Sequence, residues 1–451
     1  LPSSRKSTAL LLWRQELRTL LLSPAPWLML AILSWLVGYS FVQAVELFSQ
    51  ASKTALEYPQ LAKGMNPMQG VFVPTFGAYY LVETLLLPFV VIRLVGHDKQ
   101  TGNLKLLLQL PLSTFGLNGI KLSALAGVGP LFLLPGVSAL LAWRHLGGAV
   151  PLSPLLTLLL GHLLYALTIA CIALFASVIS TGQASAAMLC LAATLGSWVL
   201  DFSSHGGGWM EALSAVSLTT LLRRFENGLL SSSAVGGFLI LSLLFYLLAS
   251  VFLKPRLRLR QKLKTAIWLL AVLAALLFLV LRNPLSLDMT ENRRHSFNPA
   301  DERALSAMQG VLTITVHMNR DDSRLVDFER SLLSRLRRVV PHLRILYVKS
   351  ASGALFGATG GDEYGLIEYD YQGRHDQSYS TSPSEVLPLI HALAGQRVKP
   401  EPVSPYPGHP LVADASAAEW WFYLALPLIY LGGYGWMRRP APYATFFSRR
   451  Y

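Results

Sequence analysis

Between Leu155 and Ile179 the chain passes 25 residues without an Asp, Glu, Lys or Arg, more than the roughly 20 apolar residues an α-helix needs to cross a bilayer. A helix satisfies its own backbone in lipid, so a run of this kind is read as a membrane span. Similar runs recur at about 27–48, 77–95, 115–143, 184–200, 234–253, 265–281 and 420–437. The spacing therefore predicts a polytopic α-helical membrane protein of about eight spans. At 451 residues, with 53% hydrophobic and only 14% charged residues, the chain is too apolar for a soluble protein of its size. An outer-membrane barrel would instead alternate polar and apolar residues over shorter segments.

A formal charge of +13 raises the question of nucleic acid, and the position of the charges answers it. With the amino terminus on the cytoplasmic side, 18 of the 38 Lys and Arg fall inside, against only Glu16 and Asp98. The densest group is Lys254 to Lys264, KPRLRLRQKLK, suited to anionic headgroups as well as to cytoplasm. From Arg282 onward 15 cations are balanced by 17 acids in a long outer segment. The excess follows the positive-inside rule, so membrane lipids and not nucleic acid are the expected counterpart. Both termini are placed in the cytoplasm. The chain begins at Leu1, read as a few residues short of an initiating Met, and no cleavable signal peptide is recognisable.

The stretch Arg93 to Lys121, RLVGHDKQTGNLKLLLQLPLSTFGLNGIK, is a charged, glycine-punctuated loop between two apolar runs. Gly96 and Gly102 are expected to break the preceding helix and Pro111 to stop a short apolar helix lying at the membrane face. An interfacial turn without a partner reads the same way. The residues His97-Asp98-Lys99, Thr101-Gly102-Asn103, Leu104, Lys105, Leu106-Leu107-Leu108 and Pro111-Leu112-Ser113 resemble the loop of type-2 ABC exporter permeases of the gliding-motility (Gld) type. There an acidic pair, a base, Thr-Gly-Thr, an acid and three leucines precede Pro-Leu-Ser. His97, Asn103 and Lys105 replace the usual acid, Thr and acid, which shifts the charge. The resemblance implies that this loop docks on a separate ATPase subunit.

Ahead of it, Ser7 to Leu22 sets leucines and Trp13 among Arg14, Glu16 and Arg18, an amphipathic helix for the inner interface. Arg14-Gln15-Glu16-Leu17-Arg18 followed by Ser23-Pro24 is similar to the opening of the same permeases, where this elbow lies beside the nucleotide-binding subunit; a plain membrane anchor shares the pattern. Arg223, Arg224, Phe225 and Gly228 resemble, with shortened spacing, the outer helix before the last permease span.

After residue 264 the chain resembles a second protein fused to the first. Leu287-Asp288-Met289-Thr290-Glu291-Asn292-Arg293-Arg294-His295-Ser296-Phe297 is similar to the motif that opens the auxiliary Gld-type subunit just outside its first membrane helix. The outer segment then alternates as an α/β fold: strands at 311–318 and 343–348, a helix over 322–339, a hairpin around Gln372-Gly373, and a helix over 384–394 with Ser384 near its cap. Its length fits the thioredoxin-like part of that subunit. The expected division is 1–26 interfacial helix, 27–253 six-span permease with coupling loop 93–121, 254–264 basic cytoplasmic linker, 265–283 seventh span, 284–418 extracytoplasmic α/β (thioredoxin-like) domain, 419–437 eighth span and 438–451 cytoplasmic tail.

Glu83 falls inside the second span, where a carboxylate is costly in lipid and belongs in the bundle interior, against a partner or in a pathway. A neutral, hydrogen-bonded Glu in a helix contact is the alternative. His162 and Tyr165 on the fourth span read as packed, hydrogen-bonded side chains, and Cys171 and Cys190 as small packing residues. No GxxxxGK[ST] segment cradles a phosphate, Gly353 to Gly361 lacks the P-loop Lys, and neither CxxC, GxSxG nor HExxH occurs. No catalytic residue, cofactor or metal is expected in this chain. The resemblance implies ATP and Mg on two copies of an ABC ATPase subunit, a second copy of this chain, an envelope or periplasmic accessory partner, and a bacterial inner-membrane location. A membrane-bound enzyme and a non-transporting envelope scaffold or mechanotransmission subunit are the competing classes.

Overall fold

The computed structural model describes residues 2–202, 213–282, 285–319, 322–348, 364–399 and 406–439. The glycine-rich stretch 353–361, Gly206 to Gly208, most of the Pro-rich linker and the tail beyond 439 lie outside the described residues. The chain divides into two compact units, Leu1–Leu285 with Pro407–Tyr451, and Ser286–Tyr406.

Among the described residues of the first unit seven helices are long and apolar enough to cross a membrane: Pro24–Glu57, Met68–Gln100, Thr114–His145, Leu152–Ile179, Gln183–Asp201, Ser232–Phe252 and Leu259–Arg282. Most overrun the expected spans because helix continues past the apolar core until a cap or glycine stops it. The seventh starts at Leu259, so the basic stretch 254–264 is half helix and not all linker. Fully buried Leu33, Val37 and Phe41 of the first helix, Val71, Phe72 and Phe76 of the second, and Leu158 and Ile169 of the fourth centre the core.

The third helix is interrupted twice. Between Ala126 and Gly129 it breaks into two pieces, and Pro130 stands in the first turn of the second piece, where a missing N–H costs nothing. Pro135 lies inside that piece and leaves the Leu131 carbonyl without its intrahelical donor. The Tyr430 hydroxyl donates to it at 3.0 Å. One residue on, the Tyr79 hydroxyl accepts from Gly136 N at 2.8 Å and donates to the Phe132 carbonyl at 3.0 Å, inserting between two groups that would otherwise pair.

The eighth expected span is helical from Ser416 to Met437 through a π-turn at Trp421–Ala425, and it is not among the seven. Its tryptophans, tyrosines and glycines dilute its apolar character. It also lies in the same unit as the first helix, so the expected break at 254–264 between permease and fused protein does not divide the compact units. Ser34 Oγ donates to the Phe422 carbonyl at 2.7 Å and Trp35 Nε1 to the Tyr423 carbonyl at 2.9 Å. A Cβ on Gly38 would stand 2.3 Å from Phe422 Cβ, so only glycine permits this approach.

Among its described residues the second unit carries a four-stranded mixed sheet of β1 (Leu312–Val316), β2 (Leu343–Tyr347), β3 (Ile367–Tyr371) and β4 (Arg374–Ser378), in the order β2-β1-β3-β4. β1 and β2 are parallel, while β1–β3 and β3–β4 are antiparallel; Ile314 pairs with Ile345 on one side and Tyr369 on the other. Gln372 (φ 52°) and Gly373 (φ 80°) make the hairpin turn, the left-handed pair that a two-residue connection demands. Helices Pro299–Ser306, the helical run 323–339 and Pro383–Leu393 supply Leu305, Phe328, Leu336, Val386 and Ile390 to one core with Leu312, Ile314 and Ile367. The last of these helices is entered from Ser382, not Ser384, whose hydroxyl instead meets that of Ser382 at 2.8 Å.

The motif from Leu287 to Phe297 folds around Asp288. One carboxylate oxygen accepts from Thr290 N (3.0 Å) and Oγ1 (2.5 Å), the other from His295 N (2.9 Å) and Ser296 Oγ (2.8 Å). Burial works against this charge, but the four hydrogen bonds win and hold its carboxyl below the ordinary value.

Candidate functional site

The elbow helix Pro2–Leu22 turns into the first long helix at Ser23, whose N–H bonds the Leu20 carbonyl at 3.1 Å, while Trp27 Nε1 donates to the Leu21 carbonyl at 2.7 Å. Leu20 is buried, Arg14 and Arg18 are exposed, and Glu16 between them is turned inward.

The second long helix continues through Arg93 to Gln100, so Gly96 does not break it. Gly96 instead gives room to Gln183, whose Cγ would lie 2.8 Å from an added Cβ. The helix ends at Thr101, whose hydroxyl donates to the His97 carbonyl at 2.9 Å, and Gly102 (φ 76°) reverses the chain in the left-handed region. The short helix Asn103–Leu107 follows, with Leu106 63% exposed and Leu104 and Leu107 half-buried. Pro111 is exposed, and Ser113 caps the next helix by accepting from Gly116 N at 3.0 Å.

These pieces are held by two lysines. Lys121 is 1% exposed, and its ammonium spends all three donors: on Glu16 Oε1 at 2.6 Å, Asp98 Oδ2 at 2.5 Å and the Leu94 carbonyl at 2.9 Å. The elbow, the end of the second helix and the start of the third therefore meet at one buried cation. Burial raises the Glu16 carboxyl above its usual range, against the opposing pull of the Lys121 charge. Lys99 donates to the carbonyls of Ser177 (2.6 Å), Val178 (2.7 Å) and Ser180 (2.9 Å), closing the C-terminal end of the fourth helix, where a cation is favoured by the unsatisfied carbonyls. The loop is thus fastened on both flanks, and its apolar tip stays open.

Beside this node lies a cleft of about 630 Å³ between the elbow and the loop, bordered by Glu16, Arg93, His97, Asp98, Leu106 and Leu107 among others. Charge and apolar surface alternate around its mouth. Sequence reasoning singled out Glu16 and Asp98 separately and placed Lys121 only at the end of the loop. A signal was present: Lys121 is the one charge in the otherwise apolar and small-polar helix Thr114–Ala126.

Glu83 is fully buried and its Oε2 lies 3.1 Å from His162 Nδ1. The two residues that the sequence treated independently are one pair, deep in the bundle. Among the described residues no group of three His, Cys, Asp or Glu side chains is placed to hold a metal ion. Cys171 and Cys190 are buried free thiols. In comparison with known proteins, no family model matches the chain, no curated protein matches it, and no solved structure matches it.

Proposed function

We propose that this chain is the transmembrane subunit of an ABC exporter of the gliding-motility type, working with a separate ATPase subunit that docks on the short helix Asn103–Leu107. The observation that carries this reading is the buried Lys121 node, which joins Glu16 of the elbow to Asp98 behind the loop while Leu106 stays exposed. A partner that moves the loop moves the elbow and the second and third helices with it, because two carboxylates share one ammonium. Coupling by contact and charge needs no nucleotide site in this chain, in keeping with the lack of a P-loop sequence.

In this reading two copies of the chain assemble with two ATPase subunits in the bacterial inner membrane, with both termini cytoplasmic. The unit Ser286–Tyr406 is then extracytoplasmic and thioredoxin-like, supported by its strand order β2-β1-β3-β4 and by the parallel pair preceding the hairpin. Lacking CxxC, it acts as a docking module for an envelope component and not as a redox catalyst.

The test is co-expression with ABC ATPase subunits, followed by purification into nanodiscs and measurement of ATP hydrolysis. A stable complex whose hydrolysis rises on assembly supports the assignment. A chain that assembles with no ATPase, yet is itself active on a substrate, overturns it.

A further inference from the structure

The middle of the bundle holds ionisable groups that docking does not use. Glu83 lies about halfway along Met68–Gln100, fully buried, and His162 on the fourth helix is 4% exposed. The His162 ring packs against Phe76 at 5.8 Å and Tyr79 at 6.0 Å, and its Nδ1 meets Glu83 Oε2. Among the described residues Glu226, at the end of the helix Leu218–Glu226, is the remaining carboxylate within electrostatic reach of both. Its carbonyl accepts from Gln69 Nε2 at 3.2 Å, which fixes it at the end of the bundle where the second helix begins.

Among the described residues no countercharge other than His162 faces Glu83. Of the hydroxyls near Glu83, that of Tyr79 is engaged by Phe132 and Gly136, and that of Tyr165 meets Thr84 Oγ1 at 2.6 Å. Arg223, which faces Glu226, is paired with Asp201 at 3.0 Å. Among the described residues two buried atoms of the pair, Glu83 Oε1 and His162 Nε2, meet no hydrogen-bond partner. An unmet polar atom in an apolar interior forfeits its hydration without return, which favours a proton or a donor at that position. With every group ionised, two carboxylates face one imidazolium; one added proton neutralises the set, and Glu83 Oε1 is an open position for it.

We propose that Glu83 and His162 form a proton-binding site inside the membrane-spanning bundle. A proton taken up there rests on Glu83 Oε1 and is given back as the same proton, so no other reactant is needed. The site is independent of whether an ATPase docks on the loop.

Infrared difference spectroscopy of the full chain in lipid nanodiscs, stepped between about pH 5 and pH 9 to bracket the ordinary histidine range, tests this directly. The wild type is expected to show a buried protonated-carboxyl band that titrates. Glu83→Gln should abolish it, and His162→Gln should shift its midpoint. Absence of the band in the wild type, or a band indifferent to Glu83→Gln, overturns the proposal. Should Glu83→Gln fail to fold, Glu83→Asp keeps a carboxyl and must move the band; an unmoved band overturns it equally.

Discussion

The hydroxyl of Tyr430 donates to the carbonyl of Leu131, the carbonyl that Pro135 deprives of its helical partner. A kink in the third helix is thereby closed by the last described helix of the chain. Tyr430→Phe leaves that carbonyl buried without a donor and is expected to lower stability by about 1–3 kcal/mol. The loss should shrink in a Pro135→Ala background, where the replacement restores the missing backbone N–H. Thermal denaturation of the four variants in one detergent gives the coupling; equal losses with and without Pro135 would show that the contact does not answer the kink.

Lys121→Met removes the cation shared by Glu16 and Asp98 and strands two carboxylates in a buried site. Truncating one member of a buried charge group costs about 3–5 kcal/mol, so this variant should accumulate poorly or melt well below wild type. Adding Glu16→Gln and Asp98→Asn should restore much of the loss, since the stranded charges go with the cation. Lys121→Arg should not substitute fully, because a planar guanidinium cannot direct three donors as the ammonium does. A triple variant that melts no higher than Lys121→Met alone would show that charge is not what the node supplies.

Replacing both Leu106 and Leu107 with Asp leaves the Lys121 and Lys99 anchors untouched and changes only the face proposed to seat in the ATPase. The expected outcome is a folded chain that no longer stimulates hydrolysis, read by ATPase assay and by size-exclusion chromatography. Wild-type assembly and turnover in the double variant would refute docking through this helix.

Asp288 gives the second unit a defined acid response. Its carboxyl is held below the ordinary value of 3.8 in the fold, so the associated stability is fully present above that value and disappears as pH falls through the lower folded one. Asp288→Ala leaves the donors of Thr290, His295 and Ser296 without their acceptor and should cost about 3 kcal/mol at neutral pH. Hydrogen exchange over residues 286–298 of the full chain reads both effects. Protection in that segment that is unchanged by the substitution would contradict the role given to Asp288.

Features set by neighbours in sequence were legible before the fold. The long uncharged runs declared the spans, and Gln372-Gly373 declared its hairpin. Interactions between distant residues were not. Pro135 removes a helical donor by its own chemistry, yet nothing near it names the tyrosines that meet it, since Tyr79 and Tyr430 belong to other elements. Glu16, Asp98 and Lys121 carried the right charges, yet nothing local says that one ammonium serves both acids. The placement of the last helix misled for the same reason: a boundary of six cations looks like the end of a domain, and the Gly38 and Phe422 contact across it leaves no trace in either neighbourhood.

That last contact also sets an order of events. Ser34 and its acceptor Phe422 are 388 residues apart, and a ribosome adding about 5–20 residues per second needs roughly 20–80 s to join them. During that interval the first helix must keep the face of Ser34, Trp35 and Gly38 without its final neighbour. The bundle is therefore finished by its latest-made piece, and truncation near the carboxyl terminus would be felt first at the membrane-spanning helix synthesised earliest.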